Sequence, residues 1–68
     1  MSMVIKLNGK PHTLPEPATV LALAESLGLN PKQVAIERNL EIVPRSAYAE
    51  VGLAEGDEVE IVTFIGGG

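Results

Sequence analysis

The chain opens on an alternation of apolar and polar positions. Met3, Ile5 and Leu7 fall on one side and Val4 and Lys6 on the other, the period of two that marks a half-buried strand. Asn8-Gly9 follows; both residue types accept the left-handed φ of a two-residue hairpin, so residues 11–14 are expected to return antiparallel. Pro15, Glu16, Pro17 and Ala18 read as a stiff loop, after which Thr19 is placed to cap a helix over residues 20–27. There Val20, Leu23, Ala24 and Leu27 recur at helical spacing, while Glu25 and Ser26 fall on the other side. Gly28 suits the left-handed position beyond the helix, and Leu29 supplies the apolar contact that accompanies such a stop.

Asn30-Pro31 breaks the pattern, and the short apolar run Val34-Ala35-Ile36 reads as an internal strand. Residues 38–41 form a turn or bulge before a strand at Ile42 and Val43, which Pro44 ends because it has no N–H for a ladder. Residues 46–50 are expected to make one short helical turn carrying Tyr48. Gly56-Asp57 signals a turn, and residues 58–65 form the last strand. The order β, β, α, β, β, β describes an α+β fold in which one helix covers one face of a mixed sheet.

Composition narrows the chemistry. At 68 residues the chain is one domain, expected over residues 1–65, followed by a glycine tail over 66–68. A hydrophobic content of 46% with 21% charged residues belongs to a folded globular chain. The absence of cysteine removes disulfides, thiolate metal sites, iron–sulfur clusters and any cysteine nucleophile or persulfide carrier. His12 is the lone histidine, so a histidine metal site is excluded; it is expected to be an exposed strand residue. A net charge of −4 and only two aromatics, Tyr48 and Phe64, argue against nucleic-acid binding, which needs cations and stacking platforms. No apolar run reaches a membrane span and no secretory leader opens the chain, so a cytoplasmic location is expected.

The charge is uneven. Residues 1–45 hold all five cations (Lys6, Lys10, Lys32, Arg38 and Arg45) and four acids, whereas residues 46–68 hold five acids and no cation. The acids Glu50, Glu55, Asp57, Glu58 and Glu60 lack the spacing of a calcium loop; they read as a solvated face or as a field steering the chain to a basic groove. Arg38 and Arg45 are expected to be solvated, with a partner or the chain's own acidic third as alternatives.

The last strand runs through Phe64 and Ile65 straight into Gly66-Gly67-Gly68. By period two Phe64 and Ile65 face opposite sides, so at least one is expected to meet solvent or a partner. Three glycines have no side chains to pack and maximal backbone freedom, as suits a terminus that threads into a narrow channel. Its reactive group would be the Gly68 carboxylate, ionised at neutral pH. A carboxylate is a poor electrophile, so it becomes an acyl donor only after activation, most simply as a mixed anhydride with AMP. The chain has no phosphate loop and no nucleophile beside a base. It is thus expected to be the substrate of an activating enzyme, with no metal or cofactor of its own.

The run Val34-Ala35-Ile36-Glu37-Arg38-Asn39-Leu40-Glu41-Ile42-Val43-Pro44-Arg45-Ser46, followed by Tyr48, Leu53, Gly56-Asp57, Val59-Glu60-Ile61-Val62 and Gly67-Gly68, resembles the sulfur carrier proteins of thiamine biosynthesis, the ThiS family. The likeness covers nearly the whole chain. It implies a ubiquitin-like β-grasp fold, a mixed sheet of four to five strands on one main helix. It also implies a partner adenylyltransferase, related to ubiquitin activators, that spends ATP to adenylate the terminal glycine. Sulfur from a donor such as a cysteine desulfurase system then gives a thiocarboxylate, which thiazole synthase consumes. Gly67 and Gly68 match the family's essential pair, and Gly68 would carry the thiocarboxylate. Gly66, Gly67, Phe64 and Ile65 would meet the partners. Tyr48 stands where an aromatic is usual in the family and is expected simply to pack. The free carrier is expected to be a monomer. Two other readings stand beside this one: the small subunit of molybdopterin synthase, with the same terminal chemistry, and a noncovalent ubiquitin-like binding module. The latter would keep its function without Gly67 and Gly68.

Overall fold

The computed structural model describes residues 1–64. Strand β1 (Ser2–Leu7) pairs antiparallel with β2 (Lys10–Pro15), in register from Ser2 opposite Pro15 to Leu7 opposite Lys10. Asn8 at φ 49° and Gly9 at φ 82° make the two-residue turn that their identities predict. Helix α1 (Val20–Ser26) begins where Thr19 Oγ1 accepts from the Ala22 N–H at 3.0 Å. It ends at Gly28, φ 74°, where the Leu29 N–H bonds the Ala24 carbonyl and the Gly28 N–H bonds the Glu25 carbonyl, both at 3.0 Å. Those paired bonds are the glycine stop anticipated from the sequence. Leu27 differs from expectation: as the residue that closes the helix it turns off the buried stripe and is 37% exposed.

A short 3₁₀ turn over Pro31–Gln33, which the sequence pattern did not reveal, leads into β3 (Val34–Arg38); the Asn30 side chain accepts the Lys32 N–H at its start. β4 is only Glu41–Ile42. Val43 carries on the pairing with a single bond from its N–H to the Ile36 carbonyl at 2.9 Å before Pro44 ends it. A second 3₁₀ turn, Arg45–Ala47, places Tyr48 in the core. The final strand β5 (Glu58–Thr63) is central. The sheet order is β2-β1-β5-β3-β4, with β5 parallel to β1 and antiparallel to β3.

One face of this mixed five-stranded sheet is buried. Met3 and Ile5 from β1, Leu14 from β2, Val34 and Ile36 from β3, and Val59 and Ile61 from β5 pack with Val20, Leu23 and Ala24 of the helix. Val43 and Tyr48 close the far end. The segment 48–53 binds the helix start through Leu21 N–H to Tyr48 carbonyl, Val20 N–H to Val51 carbonyl and Leu53 N–H to Ala18 carbonyl. His12, opposite Ile5, is half-buried at the sheet's rim, so it is less exposed than its place in a polar strand suggested. No helix among the described residues is long and apolar enough to cross a membrane.

Candidate functional site

The end of β5 is where the proposed chemistry would attach. Val59 and Ile61 point into the core, so Glu58, Glu60 and Val62 point to the open face of the sheet. Phe64 continues that outward series at 49% exposure, while its N–H is held by the Gln33 carbonyl at 2.8 Å. The last described residue is therefore tied to the neighbouring β3 side by its backbone while its aromatic ring remains partly open to solvent. Ile65, Gly66, Gly67 and Gly68, singled out from the sequence as the partner-binding and acyl-bearing positions, lie outside the described residues, as does the boundary between domain and tail.

The open face has an apolar end and an acidic middle. Val62, opposite Ala35, is 60% exposed, and Ile42, opposite Glu37, is 66% exposed. Glu37 stands directly opposite Glu60, and two like charges in register repel. Glu58 lies one step further along, paired with Lys6 across the parallel ladder. A shallow hollow of about 100 Å³ is bordered by Glu37, Glu58, Glu60, Lys6 and Leu40. Among the described residues no group of three or more His, Asp or Glu is placed to hold a metal ion.

Several residues read from the sequence as surface features turn out to fix this frame. Asp57 is 7% exposed, and its carboxylate accepts from Arg38 Nε at 2.7 Å, Asn39 Nδ2 at 3.1 Å and the Ala54 N–H at 2.8 Å. Burial on its own would raise its pKa; the hydrogen bonds from Arg38, Ala54 and Asn39 and the Arg38 charge outweigh that and hold it below the usual carboxylate value. Arg38 is thus paired with the chain's own acidic third, not left to solvent. Arg45 is likewise engaged, donating to the Pro31 carbonyl at 3.2 Å and the Val34 carbonyl at 3.4 Å. Tyr48 packs as expected, at 4% exposure with its hydroxyl 3.3 Å from the Val34 carbonyl. The role of Asp57 was hidden because Gly-Asp in a turn looks like any solvated turn; an arginine 19 residues earlier gives no local signal of the pairing.

Known proteins are similar to this chain over nearly all of its sequence. The model of the ThiS family matches residues 5–68. The sulfur carrier protein ThiS of Bacillus subtilis is 41% identical over 66 residues, spanning 96% of this chain and all of that protein. A thiazole synthase of Paramagnetospirillum magneticum is 50% identical over 66 residues, covering 97% of this chain. A second, from Magnetococcus marinus, is 47% identical over the same number; the chain spans 20% of the length of each of these two synthases. In structure, the crystallised thiamine biosynthesis protein (ThiS) of Geobacter metallireducens superposes with a TM-score of 0.82 at 35% identity, covering 97% of this chain and 100% of the other. The mixed sheet on a single helix is therefore a ubiquitin-like β-grasp, and the chain belongs to the ThiS family.

Proposed function

We propose that this chain is a sulfur carrier for thiamine biosynthesis, a protein substrate that itself catalyses nothing. The observation that carries the reading is its full-length likeness to the Bacillus subtilis carrier, in a chain whose sequence ends in Gly66-Gly67-Gly68 and holds no cysteine. With no thiol available, the sulfur rides on a main-chain carboxylate, that of Gly68. A partner adenylyltransferase forms the acyl-adenylate from ATP and releases pyrophosphate. A sulfur donor, such as a cysteine desulfurase system, attacks as a persulfide and displaces AMP to give an acyl disulfide, which a thiol reductant cleaves to the thiocarboxylate while itself ending as a disulfide. Thiazole synthase then takes the sulfur while water supplies the oxygen that restores the carboxylate. The two thiazole synthases with a stretch similar to this chain support the last partner. The setting is the cytoplasm, and the free carrier is a monomer.

Phe64, Ile65, Gly66 and Gly67 serve as the approach to the reacting carboxylate. The half-exposed Phe64 and the exposed Val62 beside it offer apolar contact at the root of the arm, and the acids of β5 favour a basic docking surface. The test is the intact mass of the chain after incubation with an adenylating enzyme of this family, ATP and a sulfur donor. The expected result is a gain equal to sulfur minus oxygen, lost on deletion of Gly68. No gain under conditions that convert the Bacillus subtilis carrier, or full activity without Gly68, would overturn the reading.

A further inference from the structure

The two edges of β5 do not run out of partners together. The Asn39 N–H bonds the Glu58 carbonyl at 2.7 Å and the Phe64 N–H bonds the Gln33 carbonyl at 2.8 Å. With the register from Val34 opposite Thr63 to Arg38 opposite Val59, these bonds fix the even-numbered residues of β5 as those whose backbone groups face β3. Odd-numbered residues face β1. On that side, among the described residues, the ladder pairs Lys6 with Glu58 and Leu7 with Val59, with the Lys6 N–H on the Asp57 carbonyl at 2.8 Å and the Asn8 N–H on the Val59 carbonyl at 2.9 Å. The chain then turns away at Asn8-Gly9. The Asn8 carboxamide adds one last rung: Oδ1 accepts the Ile61 N–H at 2.8 Å and Nδ2 donates to the Ile61 carbonyl at 3.3 Å. A side-chain amide stands where the next peptide of β1 would have been. Thr63, the next odd residue, is exposed and lies past that cap, its backbone groups unpartnered among the described residues.

We propose that Thr63 is a docking rung for an extended segment of the enzyme that acts on the chain's terminus. The partner's main chain takes the place β1 leaves empty after Asn8 and pairs with the Thr63 N–H and carbonyl. This rests on the reading that the Gly68 carboxylate is the reacting group. Gly68 is the fourth residue after Phe64, so at about 3.3–3.6 Å per residue it lies within roughly 14 Å of Phe64. The wall of any catalytic channel that holds it must stand close to the end of β5. Strand addition suits such an approach, because main-chain bonds give affinity and alternate side chains give selectivity. Val62 and Phe64 flank Thr63 on the open face and border the incoming strand with apolar surface. Glu58 and Glu60 on the same face favour basic side chains in the segment. A second copy of this chain is disfavoured there, since it would set one acidic third against another.

Amide hydrogen exchange followed by NMR tests the proposal, on the chain alone and with an adenylating enzyme of this family plus ATP, with intact mass read on the same samples after adding a sulfur donor. The Thr63 amide should exchange fast in the free chain and slow by about tenfold or more in the complex. Thr63→Pro removes the N–H that faces away from β3, and its fixed φ is compatible with extended backbone; it should keep the Val62 amide protected and bind about fivefold more weakly. If that variant fails to fold, exchange on the unaltered chain decides. A Thr63 amide that stays fast while Gly68 gains sulfur overturns the docking rung and leaves the carrier reading standing. No mass gain together with an unprotected Thr63 overturns both. Protection in the free chain that grows with concentration assigns the edge to a second copy and overturns the proposal, as does a folded Thr63→Pro variant with undiminished affinity.

Discussion

Asp57 closes a junction among three segments: the turn after β3 through Asn39, the end of β3 through Arg38, and the loop before β5 through the Ala54 N–H. Asn39 completes it, its Oδ1 accepting the Glu58 N–H at 2.9 Å. Replacing Asp57 by Ala leaves an arginine and two amide donors without their acceptor. With Arg38 one-third exposed, the expected cost is about 2 kcal/mol, below that of a fully buried pair, or a melting temperature about 10 °C lower for a chain of this size. The pH dependence has a definite sign. The folded pKa is lowered, so this carboxylate's contribution is complete above the unfolded value of about 3.9 and is lost as pH falls through the lower folded value. Urea midpoints for the unaltered chain and Asp57→Asn should accordingly converge as pH is taken from 7 toward 3. A gap that persists unchanged would assign the stabilisation to shape, not charge.

At the scale of elements, two hairpins of the same kind differ in how openly the sequence announces them. Asn8-Gly9 carries the residues a left-handed pair prefers. Asn39-Leu40 adopts the same conformation, φ 53° and 70°, between the paired Arg38 and Glu41, but leucine gives no sign of it and the segment was legible only as a turn or bulge. Leu40 is 85% exposed, so little packing offsets its strained backbone. Leu40→Gly should raise stability by roughly 0.5–1 kcal/mol, measured by chemical denaturation; a loss instead would show that Leu40 packs in solution. The helix, its threonine cap and its glycine stop were legible because caps depend on neighbours in sequence. The sheet order was not, because it depends on distant pairing. The outer edge is also defended by residue choice. The Glu16 N–H bonds the Met1 carbonyl at 2.8 Å, which continues the even-numbered, inward-facing series of β2 and turns Pro11, Thr13 and Pro15 outward. Two of those three positions have no N–H to offer a foreign strand.

The whole molecule divides into a buried face that holds it together and an open face that leads to its end. The buried side carries the seven largest fully buried residues, Met3, Ile5, Leu23, Ile36, Val20, Val34 and Val59, whereas the open side ends in Val62 and Phe64. Substitutions on the two sides should separate cleanly. Val62→Asp, at a position 60% exposed, should change folding stability by no more than about 0.5 kcal/mol. It should raise the KM for adenylation roughly tenfold if the apolar end of the face is an anchor for the partner. Equal KM values for the two chains would place docking elsewhere. The proposed function was legible in the sequence through its resemblance to the ThiS family; the glycine run and the missing cysteine pointed only to the terminal carboxylate as the group that could carry sulfur. The proposed docking edge was not legible, because it depends on which way each peptide of β5 points.

The bond from the Phe64 N–H to the Gln33 carbonyl gives the carrier a zero mark. Upstream of it the chain is fixed to the sheet; if Gly68 bears the acyl group as proposed, the reach of that group is bounded by the number of residues that follow Phe64. Each peptide added or removed after Phe64 shifts the reach of the Gly68 carboxylate by about 3.3–3.6 Å, more than the tolerance of a bond-forming step. On the proposed reading, the number of residues after Phe64 is therefore as much a part of the chemistry as the carboxylate itself.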